Sequence, residues 1–191
     1  MLAAEIEPIR AKALPLVEVP AIALRIAAAF ADPMHDSLRT VWIRPGVDEG
    51  EVIVSAASAP RMVEIACQGS CQRSVGLSVT ALRNTIRRHK DAQHAVIVPN
   101  EIGLSLRTFS ADCTVALQMA EVEGTPTPMQ SAPAGQFVSD PFHFDTRLLI
   151  DVLRSIEGAQ TVAIHPFSLG WSIQTKSEDC HVIAVVAGVV P

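Results

Sequence analysis

Hydrophobic residues near the carboxyl end of the chain follow two spacings in turn. Between residues 144 and 156 they recur every three or four positions, which predicts a helix with one apolar side. Asp145 stands where the N-cap of that helix belongs. The residues after the helix alternate between apolar and polar in three runs, at 161–165, 169–175 and 180–186, separated by turn residues. With an apolar lead-in, the pattern predicts a strand, a helix and a three-stranded meander.

This pattern is repeated along the chain. When the sequence is shifted by 67 positions, residues 103–115 fall on residues 170–182, and the match extends upstream without a gap to Leu82 and Leu149. One supersecondary unit is therefore used at least twice. The identical pairs include Arg87/Arg154, Pro99/Pro166, Gly103/Gly170, Ser105/Ser172, Thr108/Thr175, Asp112/Asp179, Cys113/Cys180 and Val115/Val182.

A fainter copy of the apolar pattern precedes these two, at an offset of 52. It places Val52, Val54, Val63 and Ile65 on Leu104, Leu106, Val115 and Leu117. Because a single unit would leave two sheet edges exposed, we expect the units to pair edge to edge. The predicted elements of the first copy are strands at 16–19, 38–44, 51–55 and 62–66, a helix at 21–31, a hairpin turn at 45–50, a bend at 56–60 and a link at 67–73.

These elements predict an α+β fold of repeated β-α-β-β-β units, with the helices on one face of the sheets. A Pro/Gly-rich stretch at 123–135 marks the clearest boundary. The predicted organisation is an N-terminal arm at 1–14, a two-unit domain at 15–122, the linker at 123–135 and a third unit at 136–191.

Composition limits the function in only two respects. Apolar residues make up 49% of the chain, and the net charge of −5 argues against a generally basic nucleic-acid binder, although a local basic face remains compatible with it. No apolar run reaches transmembrane length, and the first ten residues lack a signal-peptide core, so we expect a cytoplasmic protein without membrane contact.

The sequence contains no arrangement of residues typical of catalysis. There is no Gly-rich phosphate loop, nucleophile elbow or His-Glu-x-x-His motif, so we expect neither enzymatic activity nor a cofactor. A hydrolase-type enzyme is the least favoured alternative. Cys113 and Cys180 occupy equivalent positions that predict small buried side chains. A zinc site using Cys67, Cys71 and a histidine is a further alternative, but no second ligand pair has metal spacing.

Basic residues are concentrated on the predicted helices. Such a face would make phosphate contacts that do not depend on base sequence and that weaken as salt rises. The alternative is that any solvated helix face carries residues of this kind. Aromatic residues are too few for a platform that stacks single-stranded bases. The candidate DNA-binding residues are Arg25, Arg83, Arg87, Arg88, Lys90, Arg147 and Arg154.

Several stretches resemble the bacterial DNA polymerase III β sliding clamp. Phe144-Asp-Thr-Arg-Leu-Leu-Ile-Asp-Val-Leu-Arg-Ser-Ile156, followed by Val162-Ala-Ile, is similar to the last helix and next strand of the clamp. Glu121-Val-Glu-Gly-Thr-Pro resembles the Ile-Glu-Gly-x-Tyr-Pro link between clamp domains. Ile53-Val-Ser-Ala-Ala-Ser-Ala-Pro-Arg-Met62 is similar to the clamp's Val-Ala-Thr-Asp-Gly-His-Arg-Leu turn.

The resemblance implies a ring-forming scaffold that encircles duplex DNA and tethers a DNA polymerase or another clamp-binding protein. In that family the helices line the hole and would carry the basic residues named above. The partner pocket would involve Arg61, Met62, Val185 and Val186. Two departures affect this pocket: Ser58-Ala59-Pro60 replaces Asp-Gly-His, and the chain ends Val-Val-Pro191 instead of Met-Pro-Met-Arg-Leu.

Length is a further departure, because a clamp protomer of that family has three domains of two units each. This chain has about three units, so the third would be a half domain with an unpaired edge. We therefore expect the third unit to pair with its copy in a second chain, giving an isologous dimer and, from two dimers, a larger ring. The alternative function is a protein-binding or assembly module of the same fold that no longer encircles DNA.

Overall fold

The fold is built from three copies of one unit. The computed structural model describes residues 14–35, 38–59, 61–101, 103–125, 145–156, 161–167, 170–176 and 179–187. The first unit comprises β1 (Val17–Pro20), α1 (Ala21–Phe30), β2 (Thr40–Pro45), β3 (Glu51–Ser58), β4 (Arg61–Gln68) and the short β5 (Ser70–Cys71). The second comprises β6 (Val75–Ser78), α2 (Val79–Arg88), β7 (His94–Asn100), β8 (Gly103–Phe109) and β9 (Thr114–Met119). The third comprises α3 (Thr146–Ser155), β10 (Ala163–Phe167), β11 (Gly170–Lys176) and β12 (Cys180–Ala187).

The predicted repeat of a helix followed by a meander is confirmed. Gly103 and Gly170 each begin the middle strand of their meander. Asp145 caps α3, since its Oδ1 accepts hydrogen bonds from the backbone N–H groups of Arg147 and Leu148 at 2.9 and 3.2 Å. The expected lead-in strand of the third unit, at 136–144, lies outside the described residues.

The first hairpin was predicted too short. The ladder between β3 and β4 runs from Glu51 opposite Gln68 to Ser58 opposite Arg61. The predicted bend at 56–60 is therefore wrong over 56–58. The predicted link at 67–73 is wrong over 67–68, which belong to β4, and over 70–71, which form β5. Small residues such as Ala56 and Ala57 are typical of a bend. They nevertheless continue the ladder, because strands pair through backbone hydrogen bonds that do not depend on side-chain size.

The first two units exchange their first strands. β1 of the first unit pairs antiparallel with β7 of the second, with Val17 opposite Ile97. Reciprocally, β6 of the second unit pairs with β2 of the first, with Gly76 opposite Trp42. The described strands form a five-stranded sheet, β5-β1-β7-β8-β9, and a seven-stranded sheet, β10-β11-β12-β4-β3-β2-β6. Each sheet thus depends on both units.

The third unit joins the seven-stranded sheet by its last strand. β12 pairs antiparallel with β4 from Cys180 opposite Cys67 to Val186 opposite Arg61. The β12 edge of the third unit is therefore covered by the first unit, although the sequence analysis predicted no partner for the third unit in the same chain. At the other end, β10 has only β11 as a strand neighbour among the described residues.

The helices lie beside one another, with α1 in the middle. α1 contacts both α2 and α3, and it packs on β3 and β4. Burial on so many sides suits its alanine-rich sequence, because small side chains allow close approach. Its buried residues are Ala21, Ala23, Leu24, Ile26, Ala27, Ala28 and Phe30. The buried large side chains of the sheets, among them Ile65, Ile97, Leu106 and Trp171, complete one continuous core.

The exchanged strand β6 can be tested at Gly76. A Cβ at this position would lie 2.7 Å from the Val122 carbonyl oxygen and 2.8 Å from Cζ3 of Trp42. We expect Gly76→Ala to lower the free energy of unfolding by about 1–3 kcal/mol, because backbone and indole must move apart. Urea unfolding measures this. The exposed neighbour Ser74→Ala serves as the control and should change the value by less than about 0.5 kcal/mol; equal effects of the two substitutions would contradict the close packing at Gly76.

Candidate nucleic-acid interface

The exposed sides of α2 and α3 present arginines at equivalent positions of the repeat. Arg87 and Arg154 are related by the 67-residue offset, and both side chains are exposed. Arg88 and Lys90 are also exposed at the end of α2, and Arg147 is exposed in the first turn of α3. The structure therefore leaves five of the seven candidate DNA-binding residues accessible on or next to the helix layer.

Charge is distributed unevenly between the helices and the rest of the protein. The three helices contain six arginines and one acidic residue, Asp151. The chain as a whole has a net charge of −5. The other acidic residues of the described regions lie in strands, turns and loops, with Asp32, Asp91 and Asp145 near helix ends. The helix layer is therefore a local cationic surface on an acidic protein.

Arg83 differs from its helix neighbour Arg87, because its side chain turns towards α1. Its Nε and Nη2 donate to the Ala28 carbonyl oxygen at 3.0 and 2.8 Å, and Nη2 also donates to that of Ala31 at 3.0 Å. These carbonyls end α1, where a helix lacks intrahelical donors. Burial, and then the charges of Arg87 and Arg61, lower the pKa of Arg83. Arg83 thus ties α2 to the end of α1.

Arg25 lies on the least buried side of α1 and is half-buried. Its Nη1 donates to the Ala92 carbonyl oxygen at 2.9 Å and to that of Lys90 at 3.4 Å. The arginine thereby fixes the chain segment that leaves α2. Arg25 and Arg83 both hold the helix layer together.

The four candidate partner-binding residues meet where β4 pairs with β12. Met62 lies opposite Val185, and Arg61 lies opposite Val186. They divide between the two faces of the sheet, since neighbouring residues of a strand point to opposite sides. Arg61 is on the helix side: it donates to the Ala29 carbonyl oxygen at 3.2 Å and stands 5.2 Å from the centre of the Phe30 ring. Met62 and Val185 are half-buried on the outer side.

Of the two cysteines at equivalent repeat positions, Cys180 is buried as predicted and Cys113 is not. Cys113, predicted to be buried, is exposed, because it lies in the turn before β9. Its Sγ is 3.3 Å from Nε2 of His89, and Nδ1 of the same ring is 2.8 Å from Oγ1 of Thr108. The burial of His89 could have been predicted from the repeat, because the equivalent residue in the third unit is Ile156, which is buried. Cys67, one of the suggested zinc ligands, instead faces Cys180 inside the sheet.

Across the described ranges, no three His, Cys, Asp or Glu side chains are grouped so that they could hold a metal ion. Nor does any helix in these ranges have the length and apolar character required to cross a bilayer.

Solved structures with the same architecture are DNA clamps. The chain matches a beta clamp of H. pylori with a TM-score of 0.66 and 9% identity, over 93% of this chain and 67% of that one. It matches the proliferating cellular nuclear antigen of Entamoeba histolytica with a TM-score of 0.61 and 8% identity, over 93% of this chain and all of that one. A putative DNA polymerase III beta subunit from Eubacterium rectale gives a TM-score of 0.55 at 9% identity, over 92% of this chain and 65% of that one.

The chain therefore has the DNA-clamp fold, as the resemblance implied, and spans about two thirds of the length of the bacterial beta subunits. No family model matches the sequence, and no curated protein matches it.

The different roles of Arg83 and Arg87 can be tested by measuring the stability of a variant at each position. Arg83→Met keeps the apolar stem but removes three hydrogen bonds to helix-terminal carbonyls, so we expect the free energy of unfolding to fall by about 2 kcal/mol. Arg87→Met, one turn further on and exposed, should change it by less than about 0.5 kcal/mol. Urea unfolding of the two variants is the measurement, and a smaller loss for Arg83→Met than for Arg87→Met would contradict this role of Arg83.

Proposed function

We propose that the protein is a clamp-like scaffold that contacts duplex DNA non-specifically through its helix layer and tethers replication or repair proteins, with no chemistry of its own. One observation carries this proposal: on a protein of net charge −5, the helices bear six arginines and a single acidic residue. A surface of this kind attracts phosphate without reading base sequence.

The phosphate contacts are assigned to the exposed members of the cationic layer. These are Arg87, Arg88, Lys90, Arg147 and Arg154. Arg25 and Arg83 lie among them with their guanidinium groups on backbone carbonyls, so their part is to position the helices and to add positive potential.

A tethered protein would bind on the other side of the sheet. Met62 and Val185 are half-buried neighbours on that outer face, and apolar side chains of this kind receive the apolar anchors of a peptide. Arg61 and Val186 support them from the helix side. DNA and the tethered protein would then occupy opposite faces without competing.

The DNA contact is tested by reversing charge at the two equivalent exposed arginines. We expect the protein to bind a mixed-sequence duplex with a log–log salt slope of about −0.9 for each phosphate neutralised. Arg87→Glu with Arg154→Glu should weaken binding by about tenfold or more at low salt and reduce the slope by about two. Fluorescence anisotropy at several salt concentrations measures both quantities.

The matched control makes the same change in charge on the opposite face. Arg107 on β8 and Lys176 on β11 are exposed at outward positions of their sheets. Arg107→Glu with Lys176→Glu should leave most of the affinity. Equal losses in the two double variants would mean that only net charge matters, and an absence of binding at low salt would remove DNA from the proposal.

The scaffold is also proposed to associate with a second copy through the third unit. Ile97 on β7, the strand that pairs with β1 of the sister unit, is 0% exposed, whereas its repeat equivalent Ile164 on β10 is 40% exposed. On α3, Ile150 and Leu153 are 41% and 37% exposed. Their equivalents on α2 are Arg83, which bonds to the end of α1, and Ile86, which packs on the core.

In the first two units, the corresponding side of each unit is covered by the other unit. In the third unit this side is apolar and exposed. The internal pair shows how such a side is closed, by reciprocal exchange of first strands and by helix against helix. A second copy of the chain supplies an identical surface, and a two-fold axis makes the contact self-complementary.

This association is tested by placing charge in the exposed apolar side. We expect a dimer at micromolar concentration in analytical ultracentrifugation. Leu153→Arg with Ile164→Arg should shift it towards monomer, because a buried unpaired charge is costly. Val47→Arg, the same kind of change at a 95% exposed hairpin tip, should leave the dimer intact. A wild-type chain that stays monomeric would rule out the pairing and leave the DNA proposal standing.

A second candidate function is a protein-binding or assembly module that makes no DNA contact. The mixed surface of α3 favours it, since Ile150, Asp151 and Leu153 interrupt the arginines there. The salt-dependence experiment separates the two candidates.

A further inference from the structure

Two free cysteines face each other across the junction between the first and third units. Cys67 of β4 and Cys180 of β12 are directly opposite in the antiparallel ladder, and both are buried. Opposed residues in such a ladder have Cα atoms about 4.5–5.5 Å apart, within the range that a disulfide spans. The thiol of Cys67 also donates a hydrogen bond to the Val52 carbonyl oxygen at 3.5 Å. The register alone brings the two side chains close enough for a covalent link with little backbone movement.

The pair lies next to an opening to solvent, although both side chains are buried. Cys67 and Cys180 line an open cavity of about 270 Å³, whose walls also include Glu51, Lys176 and His181. Lys176, at the end of β11, and His181, near the start of β12, have exposed side chains. This opening is the route by which we expect a small reagent to approach the pair.

The two thiols differ in acidity. Their mutual interaction lowers the pKa of Cys180, while the same interaction, together with burial, raises the pKa of Cys67. Cys180 is therefore the thiol that ionises first, and a thiolate is the form that attacks a disulfide.

We propose that Cys67 and Cys180 are a dithiol site for low-molecular-weight disulfides, which convert the pair into a cross-strand disulfide that ties the third unit to the first. The Cys180 thiolate attacks one sulfur of the small disulfide, forms a mixed disulfide and releases one thiolate. The Cys67 thiol then loses its proton and its sulfur displaces the second thiolate from Cys180. Two protein thiols are oxidised, and one small disulfide is reduced to two thiols.

The link would act on the junction that holds α3 beside α1. Because β4 and β12 are more than a hundred residues apart in the chain, the disulfide would close a long loop and restrict the unfolded state. Where the proposed DNA contact holds, the link would also keep the arginines of α3 in place relative to those of α2. The redox chemistry itself does not depend on that contact.

Mass spectrometry of the full chain after native incubation with oxidised glutathione tests the site. We expect a loss of two hydrogens, reversed by dithiothreitol, and a tryptic cross-link between peptides 62–73 and 177–191. The first peptide also contains Cys71, so the experiment uses the Cys71→Ser, Cys113→Ser background. In this background the linked form should also melt about 10 °C higher than the reduced form.

Cys67→Ala in the same background is the matched control and should yield only a glutathione adduct. Mixed disulfides without a cross-link, or no reaction at native conditions, would overturn the proposal. Neither outcome involves DNA, so the site can fail while the proposed function holds, and the reverse also applies.

Discussion

The exchange of first strands between the first two units is the constraint on which the rest of the structure depends. β1 lies on β7 and β6 lies on β2, so each unit completes the sheet of the other. Neither sheet can form with its full complement of strands from one unit alone. The exchange also brings α1 and α2 into contact, which lets Arg83 reach the final carbonyls of α1.

The third unit has a helix and a meander but no sister unit within the described residues. It attaches instead through an edge-to-edge ladder, with β12 alongside β4. An edge ladder covers one side of the unit and leaves the opposite side uncovered. Ile97 and Ile164 are identical residues at equivalent positions, and only Ile164, in the third unit, is exposed.

The repeat was visible in the sequence because glycines, turn residues and alternation recur at one spacing. The same reasoning did not reveal that β12 pairs with β4, since a strand's own pattern shows which face is buried but not which edge is occupied. Cys113 was misplaced because its equivalent Cys180 begins a strand, whereas the turn before β9 is one residue longer and Cys113 is its last residue. Arg83 and Arg87 share a spacing, yet a long side chain can turn towards a neighbouring helix, and periodicity does not record its direction.

The alanines of α1 have a consequence for the surface above them. Ala23 and Ala27 are fully buried in the central helix, between helices that carry the exposed arginines. The two alanines lie one turn apart on the same face of α1, so a larger side chain at either position would force α1 away from whatever packs on that face. The contacts of α1 with the helices that carry the arginines therefore depend on some of the smallest side chains in the core.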